Sequence, residues 1–467
     1  LRKIYAIILL ILVGTLKGYA QEEPYRIDKL TLTAYQMDGT KKEGHNDKAG
    51  RITPDAFARY FGQIEGKQFA NKAELDAYVH KLDQDMIKSG MFHTQTVVAV
   101  PGAVSDGAVS VELQVEAIDT WPAFVLPGLS YNSSRGFSAM AYVLIPNIAG
   151  EAFDMYIKGK YTAPVRDDGT GTGNKNLAWL DPDYKILFGF GNIAVVENVI
   201  LNAGVGYVYD SLAVFDRGEQ NLVYHKSSFL GAADVAWRFD PLWTLRSAIL
   251  YEYAIDATID PEYQVNSARY DVIYQNSFHH MVSVTYDDRE LINYAYQGWQ
   301  ASTEVFYDVN QSYFSHRTTG DFGFKLQGSY EWIVGGFFYP RIGLTTFFKT
   351  GDTIYDMGSY VRGIFDGEWK GNGVTALNID LLFKLFAVPH WFEFQIGPFV
   401  DYGISYGIHQ NFQRHDQGAT IGITTKTVLY PLSSVSIIVG MGYDLRNKYD
   451  YSSFNHFEFN IDGALNF

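Results

Sequence analysis

The sequence predicts a mainly β protein, a 16-stranded antiparallel transmembrane β-barrel preceded by one small α/β domain. Two observations carry this expectation. From Trp121 onward apolar and polar side chains alternate, the period of strands with one greasy face. Aromatic residues make up 16% of the chain, with 34 Tyr and 32 Phe beside 44 Gly, a composition suited to the aromatic girdles of a membrane barrel. A water-soluble sandwich or propeller is the alternative, and strands of this length argue against it. A helical membrane bundle is excluded, because mean hydropathy is -0.10 and no helix-length apolar run follows the N-terminus.

Residues 1–20 place Arg2 and Lys3 before an apolar core from Ile4 to Val13 and small residues up to Ala20. This pattern is expected of a secretory signal peptide. The chain has no cysteine, so disulfides, thiolate metal sites and cysteine nucleophiles drop out. Formal net charge is -15 over 467 residues, and a nucleic-acid partner would need a basic surface instead. No cofactor is expected.

Residues 21–119 read as the small domain. PYRIDKLTLTAY is strand-like and a polar insertion at 37–51 follows. Thr53 and Pro54 fit an N-cap and first helical position for DAFARYFG. Asn71 and Glu74 have the capping-box spacing, with Leu75, Tyr78, Val79, Leu82 and Met86 at helical intervals behind them. Gly90 ends that helix, and FHTQTVVAV and AVSVELQVEA alternate as strands. The expected order is strand, helix, helix, strand, strand.

Residues 120–467 read as the barrel. Strands are expected near 122–132, 137–148, 151–163, 184–194, 199–211, 228–240, 243–257, 275–287, 298–309, 321–334, 337–350, 373–386, 391–405, 418–431, 435–446 and 457–467. Long polar connectors alternate with tight turns such as NIAG and FDPL, the two unlike ends of a membrane barrel. In WFEFQIGPFVDYG, Phe392, Phe394, Ile396 and Tyr402 share one face while Glu393, Gln395 and Asp401 share the other. The greasy face should meet lipid, so Asp401 points into the lumen. The same argument turns Asn378 and Asp380 inward.

These features together resemble the Omp85 superfamily of outer-membrane proteins. The small domain, with GKQF at Gly66–Phe69 and SGMF at Ser89–Phe92, is similar to a single POTRA domain. The segment Val361, Arg362, Gly363, Ile364 resembles the family's VRG-aromatic motif, with Ile364 where Phe or Tyr is usual. GNGVTALNIDL resembles the strand that follows, and FVDYG, containing Phe399, Asp401 and Gly403, the next strand's F-x-D-x-G. Phe457, Phe459, Ile461, Gly463, Leu465 and Phe467 resemble a C-terminal barrel-insertion signal.

The resemblance implies that the loop between about Thr350 and Gly373 folds into the lumen and sets Arg362 against an inner-wall carboxylate. Asp401 is the first expected partner and Asp380 the second, because guanidinium offers a rigid fork of donors. Gly363 would let the loop backbone come close to the wall. The alternative is a solvated loop arginine.

Enzyme motifs are missing. The one G-x-S-x-G match, Gly403 to Gly407, continues an alternating strand segment and makes no strand-to-helix elbow, and there is no H-E-x-x-H. His279, His280, His390 and His456 read as surface or interface residues, and Asp287 and Asp288 as solvated turn charges. The resemblance implies a bacterial outer-membrane location with the POTRA-like domain in the periplasm. Lipid and lipopolysaccharide would surround the barrel. The implied function is insertion or translocation of client proteins at a seam between the first strand and the last, with the POTRA-like domain meeting a client or a periplasmic partner. Gly128 and Gly463 would loosen those two strands. A passive pore or structural component anchoring a periplasmic partner is one alternative. Secretion of a cognate exoprotein, as by two-partner transporters, is another.

Overall fold

The computed structural model describes residues 23–35, 52–119, 123–132, 136–163, 182–216, 219–259, 273–292, 295–351, 360–362, 364, 371–389, 392–407, 413–429, 435–444 and 457–465. The expected signal peptide, the insertion at 37–51, Gly363, His390, His456 and Phe467 lie outside them. The chain divides into two compact units between Asp119 and Thr120.

The first unit runs β1 (Tyr25–Tyr35), α1 (Pro54–Phe61), β2 (Gln68–Phe69), α2 (Lys72–Ser89), β3 (Phe92–Ser105) and β4 (Ala108–Asp119). Its sheet has the order β2-β1-β4-β3, with β1 and β4 parallel and β3 and β4 antiparallel. The Thr53 hydroxyl accepts from Ala56 N–H and starts α1. Asn71 Oδ1 accepts from Glu74 N–H, and Glu74 Oε2 accepts from Ala70 N–H, so the box closes one residue earlier than its usual form. Gly90, at φ 66°, stops α2 in the left-handed region. Phe57, Leu82, Met86, Phe92 and Leu113 fill the core. On the other sheet face Lys29 and then Thr31 bond Glu112, holding its carboxyl down at about 2. Strand β2 interrupts the expected helix-helix step; two residues are too few for any periodicity to show.

The second unit is antiparallel sheet. Its strands are β5 (Phe124–Asn132), β6 (Gly136–Ile145), β7 (Asp154–Ala163), β8 (Asp183–Val196), β9 (Val199–Asp216), β10 (Glu219–Asp240), β11 (Trp243–Ile259), β12 (Tyr274–Asp287) and β13 (Glu290–Ile292). They continue as β14 (Ala295–Ser312), β15 (Thr318–Glu331), β16 (Phe338–Lys349), β17 (Gly373–Val388), β18 (Phe392–Gly407), β19 (Gln413–Leu429), β20 (Val435–Asp444) and β21 (Phe457–Leu465). Each expected segment holds one long strand, and β13 is additional. It is a three-residue hairpin arm on β14, while β12 pairs with β14 directly. The order returns to its start, because β21 pairs with β5 and closes the sheet.

Alternation sorts side chains to the two faces. Along β18 Phe392, Phe394, Ile396, Val400 and Tyr402 are half-buried or exposed, while Glu393, Gln395, Phe399 and Asp401 are buried. Closure therefore puts the second set inside. Among the described residues no helix is long and apolar enough to cross a membrane, which says nothing of strands.

Candidate functional site: the luminal loop and its fasteners

Between β16 and β17 the described part of the loop, Tyr360–Arg362 and Ile364, lies against the inner wall. Strand phase supplies its partners. On β17 the inward residues are Val374, Ala376, Asn378 and Asp380, and on β18 they are Phe399 and Asp401. Arg362 Nε and Nη2 donate to the two Asp401 oxygens at 2.8 and 2.6 Å. Nη1 donates to Asp380 Oδ1 at 2.6 Å, and the Arg362 backbone N–H to Asp401 Oδ2 at 3.0 Å. The guanidinium also lies 3.9 Å from the centre of the Phe399 ring. Asp401 is fully buried and Asp380 nearly so. One arginine thus engages both carboxylates at once, since its fork has donors on two edges.

Apolar packing fixes the rest of the segment. Val361 and Ile364 are fully buried with Val374 and Ala376, and Phe347 and Tyr360 pack against them. Phe347 also stacks on the Phe306 ring, with centres 5.6 Å apart. Asn378 Nδ2 donates to Tyr360 O at 3.0 Å. At the loop's neck Asn372 Nδ2 donates to Gly351 O at 2.6 Å and Asn372 N–H to Tyr406 O at 2.7 Å. Lys349 Nζ lies 3.2 Å from Asp308, which His279 Nδ1 meets at 2.5 Å.

A chain of alternating charge leads from this site toward the short-turn end. Arg341 Nη1 lies 3.7 Å from Asp380, and Arg341 Nε 3.9 Å from Glu331. Arg289 Nη1 is 3.4 Å from Glu331, and Arg289 forks onto Asp287 at 3.0 and 2.9 Å. The solvated reading of Asp287 and Asp288 is therefore corrected. Asp288 accepts from Tyr286 Oη and Trp299 N–H, because the turn folds its short acids back onto neighbouring donors. His279 turns into the lumen rather than to the surface, while His280 meets Ser247 at 3.1 Å on the outer face. Sequence reasoning missed Arg341, Glu331, Arg289 and Asn372. The inward phase of Arg341, shared with Tyr339 and Phe347 on β16, was the available signal.

The remaining site residues fall in the sheet. Gly403 pairs with Ala376 on β17 and Gly418 on β19. In β21, Phe459, Ile461, Gly463 and Leu465 pair with Met441, Val439, Ile437 and Val435. The junction of β21 with β5 is much shorter. Among the described residues it consists of Asn460 opposite Asn132 and Ile461 opposite Tyr131, whereas β5 and β6 pair from Phe124 with Leu144 to Asn132 with Gly136.

The outer face carries two rows of aromatic rings. On six strands the members stand eight positions apart: Phe229 and Trp237, Trp243 and Tyr251, Phe278 and Tyr286, Trp299 and Tyr307, Phe322 and Tyr330, Phe394 and Tyr402. Exposed aliphatics such as Val235, Ile249, Val282, Val305 and Leu326 lie between the rows. Among the described residues no cluster of three or more His, Cys, Asp or Glu is arranged to hold a metal.

No family model and no curated protein matches the sequence. Solved structures do match. CdiB from Escherichia coli has 12% identity and a TM-score of 0.60, over 95% of this chain and 81% of that one. CdiB from Acinetobacter baumannii has 13% identity and a TM-score of 0.55, over 94% and 73%. BamA from Haemophilus ducreyi lacking POTRA domains 1-3 has 12% identity and a TM-score of 0.52, over 93% and 84%. At these identities the likeness is one of fold. The chain has the fold of the BamA and CdiB outer-membrane proteins.

Proposed function

We propose that this chain is an Omp85-type barrel of the bacterial outer membrane, with a periplasmic POTRA-like unit, that assists insertion or translocation of client proteins. The observation that carries the reading is the short junction between β21 and β5. A strand edge held by few backbone pairs can exchange those pairs for an incoming strand. The outer aromatic rows and the aliphatic band between them suit a lipid surround that includes lipopolysaccharide. Among the described residues strand β3 ends the sheet of the first unit, an edge that suits a client segment or periplasmic partner. Arg362 would then act as a latch for the luminal loop. The described loop residues, Tyr360–Arg362 and Ile364, stand where a wide passive pore would leave room for water.

Reconstitution in vesicles tests the proposal. The protein should speed the folding of an urea-unfolded barrel client above the rate in empty vesicles, and equal rates would overturn the insertase reading. Large steady conductance across a planar bilayer without any client would favour the pore.

A further inference from the structure

We propose that the turn at 332–337 is a lipid anchor, a rigid apolar wedge that the barrel seats in the membrane leaflet at its short-turn end. This rests on the reading of the barrel as membrane-spanning. The turn joins β15 to β16 and reads Trp-Ile-Val-Gly-Gly-Phe, with no polar side chain. Trp332, Val334 and Phe337 are 39%, 48% and 56% exposed. Two other turns at the same end carry Glu197 and Asn198, and Asp288 and Arg289, while Pro241 and Leu242 make a shorter apolar turn there. A tight turn made wholly of apolar residues is unsuited to water, and exposed apolar patches mark a partner or a membrane.

Three features decide for lipid. Trp332 continues the outer aromatic row: its ring lies 4.5 Å from Tyr330, which lies 4.6 Å from Trp299. The wedge is therefore continuous with the face already assigned to the bilayer. Its backbone is largely self-satisfied, as a segment entering a membrane requires. Val334 and Phe338 exchange N–H bonds at 2.8 and 3.1 Å, and Trp332 N–H donates to Pro340 O at 3.0 Å. Gly335 and Gly336, at φ 61° and 72°, make the tight hairpin that L side chains resist. Tyr339 Oη pins Gly336 O at 3.1 Å. Finally, the hairpin's inner side is tied to the wall through Glu331, Arg341 and Asp380, leaving the apolar side outward.

The chain has no cysteine, so single labels report without background. Val334→Cys, Val305→Cys and Glu197→Cys, each carrying a polarity-sensitive fluorophore, would be read in phosphatidylethanolamine–phosphatidylglycerol vesicles. Iodide is the aqueous quencher, and lipids brominated at shallow or deep positions are the membrane quenchers. The label at 334 should be blue-shifted, several-fold less quenched by iodide than that at 197, and quenched most by shallow bromines, as for a group ~5–10 Å into the headgroup boundary. Equal iodide quenching at 334 and 197, with 305 quenched by deep bromines, would overturn the anchor and leave the barrel reading intact. Iodide access at 305 would overturn both. Should Val334→Cys fail to fold, Trp332→Cys, in the outer row, carries the same readout.

Discussion

Arg362 is held by geometry that no other cationic side chain reproduces. Its guanidinium reaches two carboxylates on neighbouring strands and lies on Phe399. Arg362→Ala would leave Asp401 buried without its counter-charge, and such a loss costs about 3–5 kcal/mol. Arg362→Lys keeps the charge but loses the parallel bonds and the flat contact with the ring, so about 1.5–3 kcal/mol should be lost. Urea midpoints of the refolded protein check both, and equal midpoints for wild type and Arg362→Ala would show the contacts to be energetically idle. Strand phase alone turned Asp401 and Asp380 inward, because a two-residue period fixes facing whatever the partner. It could not say that one arginine takes both acids, nor that Phe347 and Tyr360 supply the aromatic mass beside Ile364. Those facts depend on residues distant in sequence meeting at the inner wall.

Strand β18 shows how close packing constrains one element. At Gly397 a Cβ would stand 1.8 Å from the Leu381 carbonyl oxygen, a backbone atom that cannot swing aside. Pro398 beside it has no N–H for the ladder. Gly397→Ala should therefore cost about 1–3 kcal/mol in a urea titration, while Gly231→Ala, with nothing within 4 Å of its Cβ, should stay within about 0.5 kcal/mol. If the two variants unfold together, the approach at Gly397 does not limit the strand. Elements with periodicity or caps were legible: α2 begins at Asn71 and ends at Gly90 as its residues dictate. Strands β2 and β13 were not, since two or three residues carry no pattern and owe their pairing to neighbours.

At the scale of the whole molecule, alternation showed one strand in each of the sixteen segments, because a half-buried sheet writes its facing into every second residue. The extent of pairing between first and last strand is not written there; it depends on where two ends of the chain meet. A disulfide formed between Asn132→Cys and Asn460→Cys should abolish client insertion, and reductant should restore it. Undiminished activity of the oxidised protein would place the client elsewhere. The two aromatic rows set one more quantity. Eight residues at roughly 3.3 Å each, tilted as barrel strands are, give a vertical span of about 20 Å. The hydrocarbon of a typical bilayer is about 30 Å thick. On the proposed membrane-spanning reading, lipids beside the six strands that carry both rows would shorten to meet the wall, a thinned collar that costs fractions of a kcal/mol for each ångström of mismatch.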